Sequence, residues 1–173
     1  MPERQPFDLQ PYVERTQNGP CFICAFLSGH PDYCHHLLFE DDFAVAFLAR
    51  ASSEAGREII QALGYVLVAP RQHREHATAD FTQSEYLRLQ MLVYQVGQAL
   101  RAELPTERVY VLSLGSQQGN SHVHWHVVPL PPGVPYEQQQ FHFLMSENGV
   151  LEVESGEMAA LAARLRQRLT NLP

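Results

Sequence analysis

Seven residues, His122-Val-His-Trp-His-Val-Val128, alternate imidazoles with apolar side chains at a period of two. Only an extended strand sorts such a run, because successive side chains in a strand point to opposite faces. His122, His124 and His126 then share one face, while Val123, Trp125 and Val127 enter a core. A helix would turn the middle ring away from the other two. Prolines at 129, 131, 132 and 135 end the strand. Three imidazoles side by side make a metal site or a catalytic surface, and the plain alternative is a solvated face rich in histidine. Nine histidines among 173 residues rarely fall into such register. The polar, glycine-punctuated stretch Gly115-Ser-Gln-Gln-Gly-Asn-Ser121 would also be left without a purpose.

The remaining segments supply a sheet for that strand. Residues 37–40 and 43–48 read as a hairpin turning at Asp41-Asp42, 65–69 as a strand covered on both faces, and 109–114 as a further strand. Thr82-Gln-Ser-Glu85 is a capping box, and Tyr86, Leu89, Leu92, Val93, Val96 and Leu100 follow at helical spacing until Pro105. Residues 50–62 read as a loop with a short helix, and 155–169 as a final helix. Strands and helices that do not alternate strictly predict an α+β fold, an antiparallel sheet of about five strands with a long helix packed on it. Three segments are expected: an extended amino-terminal arm (1–20, with prolines at 2, 6, 11 and 20), a main domain (21–135) and a carboxy-terminal helical extension (136–173).

Composition narrows the function. Hydrophobic residues make up 45% of the chain and charged ones 18%, enough to bury a core. Twelve Lys and Arg against nineteen Asp and Glu give −7, which argues against holding long nucleic acid by bulk charge. Any phosphate must be met by a local site. No apolar run approaches the roughly 18 residues that cross a bilayer, and Met1-Pro-Glu-Arg-Gln-Pro6 lacks the pattern of a secretory signal. A cytoplasmic protein without a membrane partner is expected. Three cysteines make no disulfide scaffold, and Cys21-Phe-Ile-Cys24 has metal or redox spacing.

The segment from His122 to Val128 resembles the signature of the histidine triad superfamily of nucleotide hydrolases and transferases. Gly64-Tyr-Val-Leu-Val-Ala-Pro-Arg-Gln-His73 is similar to that family's glycine, strand, proline and basic loop, and Cys21-x-x-Cys24 resembles its zinc-bearing members. The resemblance implies a histidine-triad fold over about residues 21–130. It places the nucleophile on His124, which would attack an α-phosphate, and a hydrogen bond or proton for the leaving group on His126. A backbone carbonyl of the strand would hold the second nitrogen of His124. It also implies a leaving-phosphate contact at Gln118, with Gln117, Asn120, Ser121 and Ser116 as further donors, Phe43, Phe47 and Leu48 lining the nucleoside side, and Arg71 near a polyphosphate. The ribose-binding acid common in the family has no counterpart in Phe47-Leu-Ala-Arg50, and Glu54 is the substitute in the insert.

The zinc-bearing members imply the ligand set Cys21-x2-Cys24-x48-His73-x48-His122, a closed tetrahedral structural zinc site. His76 competes with His73 for its place. A redox pair lacks the surrounding βαβ pattern, and two buried inert thiols are the third reading. Cys34-His35-His36, whose neighbours point apart, reads as packing and surface. No organic cofactor is expected.

The activity implied is hydrolysis of dinucleoside polyphosphates such as diadenosine tetraphosphate, or of related nucleoside phosphates, by a homodimer. Nucleotidyl transfer or phosphorolysis is the enzymatic alternative, and a non-catalytic nucleotide-binding module the other. Action on adenylated DNA ends is disfavoured by the charge.

Overall fold

The computed structural model describes residues 3–116 and 118–171. Helices α1 (Gln10–Asn18) and α2 (Phe22–Leu27) lead into strands β1 (His36–Glu40) and β2 (Ala44–Leu48). A hairpin of β3 (Ser52–Glu54) and β4 (Arg57–Ile60) precedes β5 (Val66–Pro70). The long α3 (Gln83–Glu103) is followed by β6 (Arg108–Leu112), β7 (Trp125–Leu130), the single-turn α4 (Phe141–Leu144), β8 (Leu151–Glu154) and α5 (Ser155–Thr170).

Five strands form an antiparallel sheet in the order β1-β2-β5-β7-β6. The first turn closes as its aspartate predicts: Asp41 accepts from the N–H groups of Phe43 and Ala44 at 2.8 and 2.7 Å. Every residue of β2 and β5 is buried, because both faces are covered. On one face Ala46, Val68, Trp125 and Val127 pack with Leu89, Val93, Val96 and Leu100 of α3 and with Met158, Leu161 and Leu165 of α5. On the other, Val45, Phe47, Leu67 and Val128 pack with Ile23 of α2. Alternation along β7 puts His126 on this second face, opposite the long helix.

α3 forms where its capping box predicts. Glu85 donates its N–H to the Thr82 hydroxyl at 3.3 Å and accepts the Thr82 N–H at 2.8 Å, worth about 1 kcal/mol. Arg74 reaches Glu85 at 2.7 Å and lies 4.6 Å from the Phe81 ring, fastening the loop after β5 to the helix start.

Four expectations need correction. Residues 50–62 form the hairpin β3–β4 with β8 beside it, not a loop with a short helix. Ala55 and Gly56 take φ of +50° and +82° at its turn, as a tight two-residue hairpin demands. Strands this short take their stability from the pairing partner, which arrives ninety residues later in the chain. The amino-terminal segment is not extended throughout: α1 forms with Pro11 in its first turn, where a missing N–H costs nothing. The segment after 135 holds a strand besides its helix, and its Met158 and Leu161 share the core of the main sheet. Finally, the histidine segment enters regular strand only at Trp125. Pro70 has no N–H to extend the ladder from β5 and its carbonyl faces His122 Nε2 at 2.9 Å, while the Val123 N–H donates to the Arg74 carbonyl at 2.7 Å.

Candidate active site and metal centre

The segment between His122 and His126 serves two places. At its start, the side chains of Cys21, Cys24, His73 and His122 converge, with all four ligand atoms within 4.8 Å of one another. The imidazole Nδ1 of His122 lies 3.5 Å from Cys21 Sγ and 3.6 Å from Cys24 Sγ, and His73 Nδ1 lies 3.4 Å from Cys24 Sγ. A tetrahedral zinc ion at ordinary bond lengths sets sulfur–nitrogen edges of about 3.5 Å, so the donors are spaced for one.

The outer nitrogens agree. His122 Nε2 is 2.9 Å from the Pro70 carbonyl and His73 Nε2 is 3.2 Å from the Glu75 carboxylate. Both partners only accept, so each Nε2 carries the proton and each Nδ1 lone pair faces the thiols. Burial and the neighbouring Cys21 push the Cys24 thiol up to about 11. A cation there would reverse that shift by stabilising the thiolate. The donor set, its spacing and its outer hydrogen bonds all fit zinc. His76 stands outside the cluster, its N–H tied to Asp80 at 2.9 Å.

Past His122 the segment borders a cleft of about 510 Å3, which His124 and His126 line. His124 Nδ1 is 2.7 Å from the His122 carbonyl, so Nδ1 holds the proton and Nε2 keeps its lone pair. Burial, reinforced by His126, pushes this imidazole down to about 4. It is therefore neutral at pH 7, the state in which it can attack. Ser113 donates to the His124 carbonyl at 2.9 Å, and Phe22 meets the His124 ring edge-on at 5.5 Å. The ring of His126 lies 4.7 Å away. Its Nε2 donates to the Leu114 carbonyl at 3.1 Å, and its Nδ1 accepts from the Tyr65 hydroxyl at 2.8 Å. Burial lowers its pKa as well.

The other expected substrate contacts divide. Asn120 lines the cleft, with its amide directed to the Tyr12 hydroxyl at 3.4 Å. Gln118 opens the short 3-10 turn that ends at Asn120, and Gln117 lies outside the described residues. Ser121 turns to Glu75 on the metal side. Arg71 does not line the cleft but pairs with Glu40 at 2.7 Å. Phe47 is fully buried, stacked against Phe26 and His35. Glu54 is exposed on β3, away from the cleft lining.

Sequence reasoning missed Tyr12, Arg15, Phe22, His35, Arg50 and Tyr65, all of which line the cleft. Tyr65 carried a signal, since it is the one hydroxyl-bearing residue in the apolar run 65–69 and stands directly before β5. Arg15 and Tyr12 carried none, because their place depends on α1 docking. That docking needs Gly119, where a Cβ would stand 2.5 Å from the Thr16 carbonyl.

No family model matches the sequence, and neither does any curated protein. The fold does match solved structures. A hypothetical histidine triad nucleotide-binding protein from Sulfolobus tokodaii superposes with a TM-score of 0.65 and 20% identity, over 88% of this chain and 93% of that one. A zinc-bound histidine triad family protein from Mycobacterium smegmatis gives 0.61 and 19%, over 87% and 93%. A Hit-like protein from Bartonella henselae, described as involved in cell-cycle regulation, gives 0.60 and 16%, over 95% and 99%. The fold is that of the histidine triad proteins.

Proposed function

We propose that the protein is a nucleotide hydrolase that cleaves at the α-phosphate of dinucleoside polyphosphates or related nucleoside phosphates through a nucleotidyl intermediate on His124. The observation that carries this reading is the 2.7 Å bond from His124 Nδ1 to the His122 carbonyl, which leaves Nε2 as a neutral nucleophile at a cleft of substrate size. As Nε2 bonds to phosphorus, the bond to the leaving oxygen breaks. The imidazolium that forms keeps its Nδ1 proton on the carbonyl.

His126 supplies the second function. Its Nε2–H, held by the Leu114 carbonyl, turns to a phosphoryl or leaving oxygen, while the Tyr65 hydroxyl steadies Nδ1. Water then attacks phosphorus as the P–N bond breaks, its proton passes to solvent from the new phosphate oxygen, and Nε2 recovers its lone pair. Zinc held by Cys21, Cys24, His73 and His122 would brace the start of the histidine segment. With four protein donors it leaves no open position for substrate. No helix among the described residues is long and apolar enough to cross a membrane.

A homodimer belongs to the same reading. Leu87, Met91 and Tyr94 are 57, 57 and 61% exposed at i, i+4 and i+7 on α3, a second apolar stripe besides the one facing the sheet. The edge strand β6, with Val111 half exposed, lies alongside. Light scattering at twice the chain mass is expected.

Product analysis on diadenosine tetraphosphate tests the activity, with wild type and His124→Ala side by side. AMP plus ATP from wild type alone, without phosphate, supports hydrolysis. ADP plus ATP only with phosphate makes it a phosphorylase. Tight binding of the dinucleotide without turnover makes it a binding module.

A further inference from the structure

The cleft carries charge that the chemistry at His124 does not use. Arg15 of α1 and Arg50, just past β2, both line it. Arg15 Nη2 donates to the Ala51 carbonyl at 2.8 Å, and its guanidinium lies 5.7 Å from the Tyr12 ring. Arg50 Nη1 stands 3.8 Å from Glu58 Oε2, an ion-pair distance but not a hydrogen bond. Among the described residues no acceptor takes its N–H groups. Both guanidiniums lie close enough to His35 to repel a proton from its ring.

Glu58 explains why Arg50 points there. This carboxylate is 1% exposed, its Oε1 is bound by His36 Nε2 at 2.6 Å, and its Oε2 accepts no hydrogen bond. An unsatisfied buried carboxylate oxygen is costly to keep. Here it steers a guanidinium by charge while leaving the donors of that guanidinium unfilled. Asp32, the one acid among the described residues that line the cleft, is an exposed rim residue 4.0 Å from His30. The cleft lining therefore carries two guanidiniums against one solvated rim acid, with the buried Glu58 carboxylate beside Arg50 alone, in a chain of net charge −7. Ser52 and Ser53 of β3 continue the same wall.

We propose that Arg50, steered by Glu58, and Arg15 form a phosphate-binding subsite that grips a phosphoryl group of the substrate other than the one under attack. The proposal rests on the nucleotide reading above and names the preferred class within it, nucleotides with a second anionic group. Guanidinium forks bind phosphoryl oxygens two at a time, which suits a site that must hold one end of a ligand in register. The second phosphoryl group has two sources, a polyphosphate tail or a phosphorylated ribose.

Calorimetric titration of the full chain with AMP, α,β-methylene ATP, adenosine 3′,5′-bisphosphate and inorganic pyrophosphate tests this. In Arg15→Met and Arg50→Met, affinity for a doubly anionic nucleotide is expected to fall about tenfold or more, while AMP changes by less than about twofold. A loss confined to the ATP analogue assigns the subsite to the tail; one confined to the bisphosphate assigns it to the ribose phosphate. Arg15→Met leaves the Arg50–Glu58 pair in place, so it still reports if Arg50→Met folds poorly. Arg50→Lys keeps the charge beside Glu58 and is expected to recover part of the affinity. Pyrophosphate separates the two readings. If AMP neither binds nor is produced, the nucleotide reading fails, yet weaker pyrophosphate binding in both variants still supports the subsite. Unchanged affinities for every ligand, or an AMP loss as large as the others, overturn it.

Discussion

His122 and His124 stand two residues apart, are both buried, and aim opposite nitrogens at what they serve. His122 binds a carbonyl through Nε2 and offers Nδ1 to the thiols; His124 binds a carbonyl through Nδ1 and offers Nε2 to the cleft. Ring chemistry and spacing are the same, so the difference lies in which carbonyl is within reach. Pro70 stands across from the first ring, and the carbonyl of His122 itself lies beneath the second. A main-chain acceptor thus selects the tautomer, and in the proposed reading the tautomer selects between offering Nδ1 to a metal and offering Nε2 to a phosphate.

Substitutions can break this division. His124→Ala is expected to lower turnover by at least about 10⁴-fold and to abolish the nucleotidyl adduct in intact mass, with the melting temperature nearly unchanged. The reverse pattern, metal lost and turnover kept, would exchange the two roles. Cys24→Ser or a strong chelator is expected to act on the other half: one equivalent of zinc lost by elemental analysis, and a melting temperature lower by about 10 °C or more. Tyr65→Phe removes the donor to His126 Nδ1 and is expected to lower kcat about tenfold, leaving zinc content alone.

His35 sharpens the comparison as a half-buried imidazole outside the metal cluster. Its Nδ1 meets the Leu48 carbonyl at 3.2 Å, yet burial, then the charge of Arg50, pushes its pKa down to about 4. An unfolded histidine titrates near 6.5, so between those values the unfolded chain binds the extra proton. Stability is expected to fall as pH drops from about 6.5 towards 4, and His35→Gln should flatten that slope in urea titrations by up to about 3 kcal/mol. The smallest effect belongs to Arg71→Ala. Its exposed pair with Glu40 is worth under about 1 kcal/mol, and turnover should not move.

What could be read from the chain alone followed local pattern. The Thr82-Glu85 box and the continuous apolar run at 65–69 each answer to a neighbour within a few residues and appear where expected, while of the alternation at 122–128 only the part from Trp125 onward is regular strand. The two-cysteine, two-histidine cluster was legible through a resemblance, not through its spacing, since its members lie up to a hundred residues apart. The β3–β4 hairpin was not legible, because Ser52–Glu54 is too short and polar to declare itself and gains its partner only at Leu151–Glu154. Arg50 escaped for a related reason: its role depends on Glu58, which the same hairpin carries. Arg71 was misplaced because a charge next to a proline looks available until Glu40 is seen across the hairpin.

The late arrival of β8 has a consequence for the order of synthesis. A ribosome delivers every proposed zinc ligand and all three cleft histidines by residue 126, before the hairpin carrying Glu58 has its third strand. The residues of the proposed metal site and His124 are thus made early, while the wall holding Arg50 waits for Leu151–Glu154 and the main core for Met158 and Leu161. A premature stop before residue 151 would release a chain that carries His124 but lacks both the third strand of this wall and the α5 side of the main core.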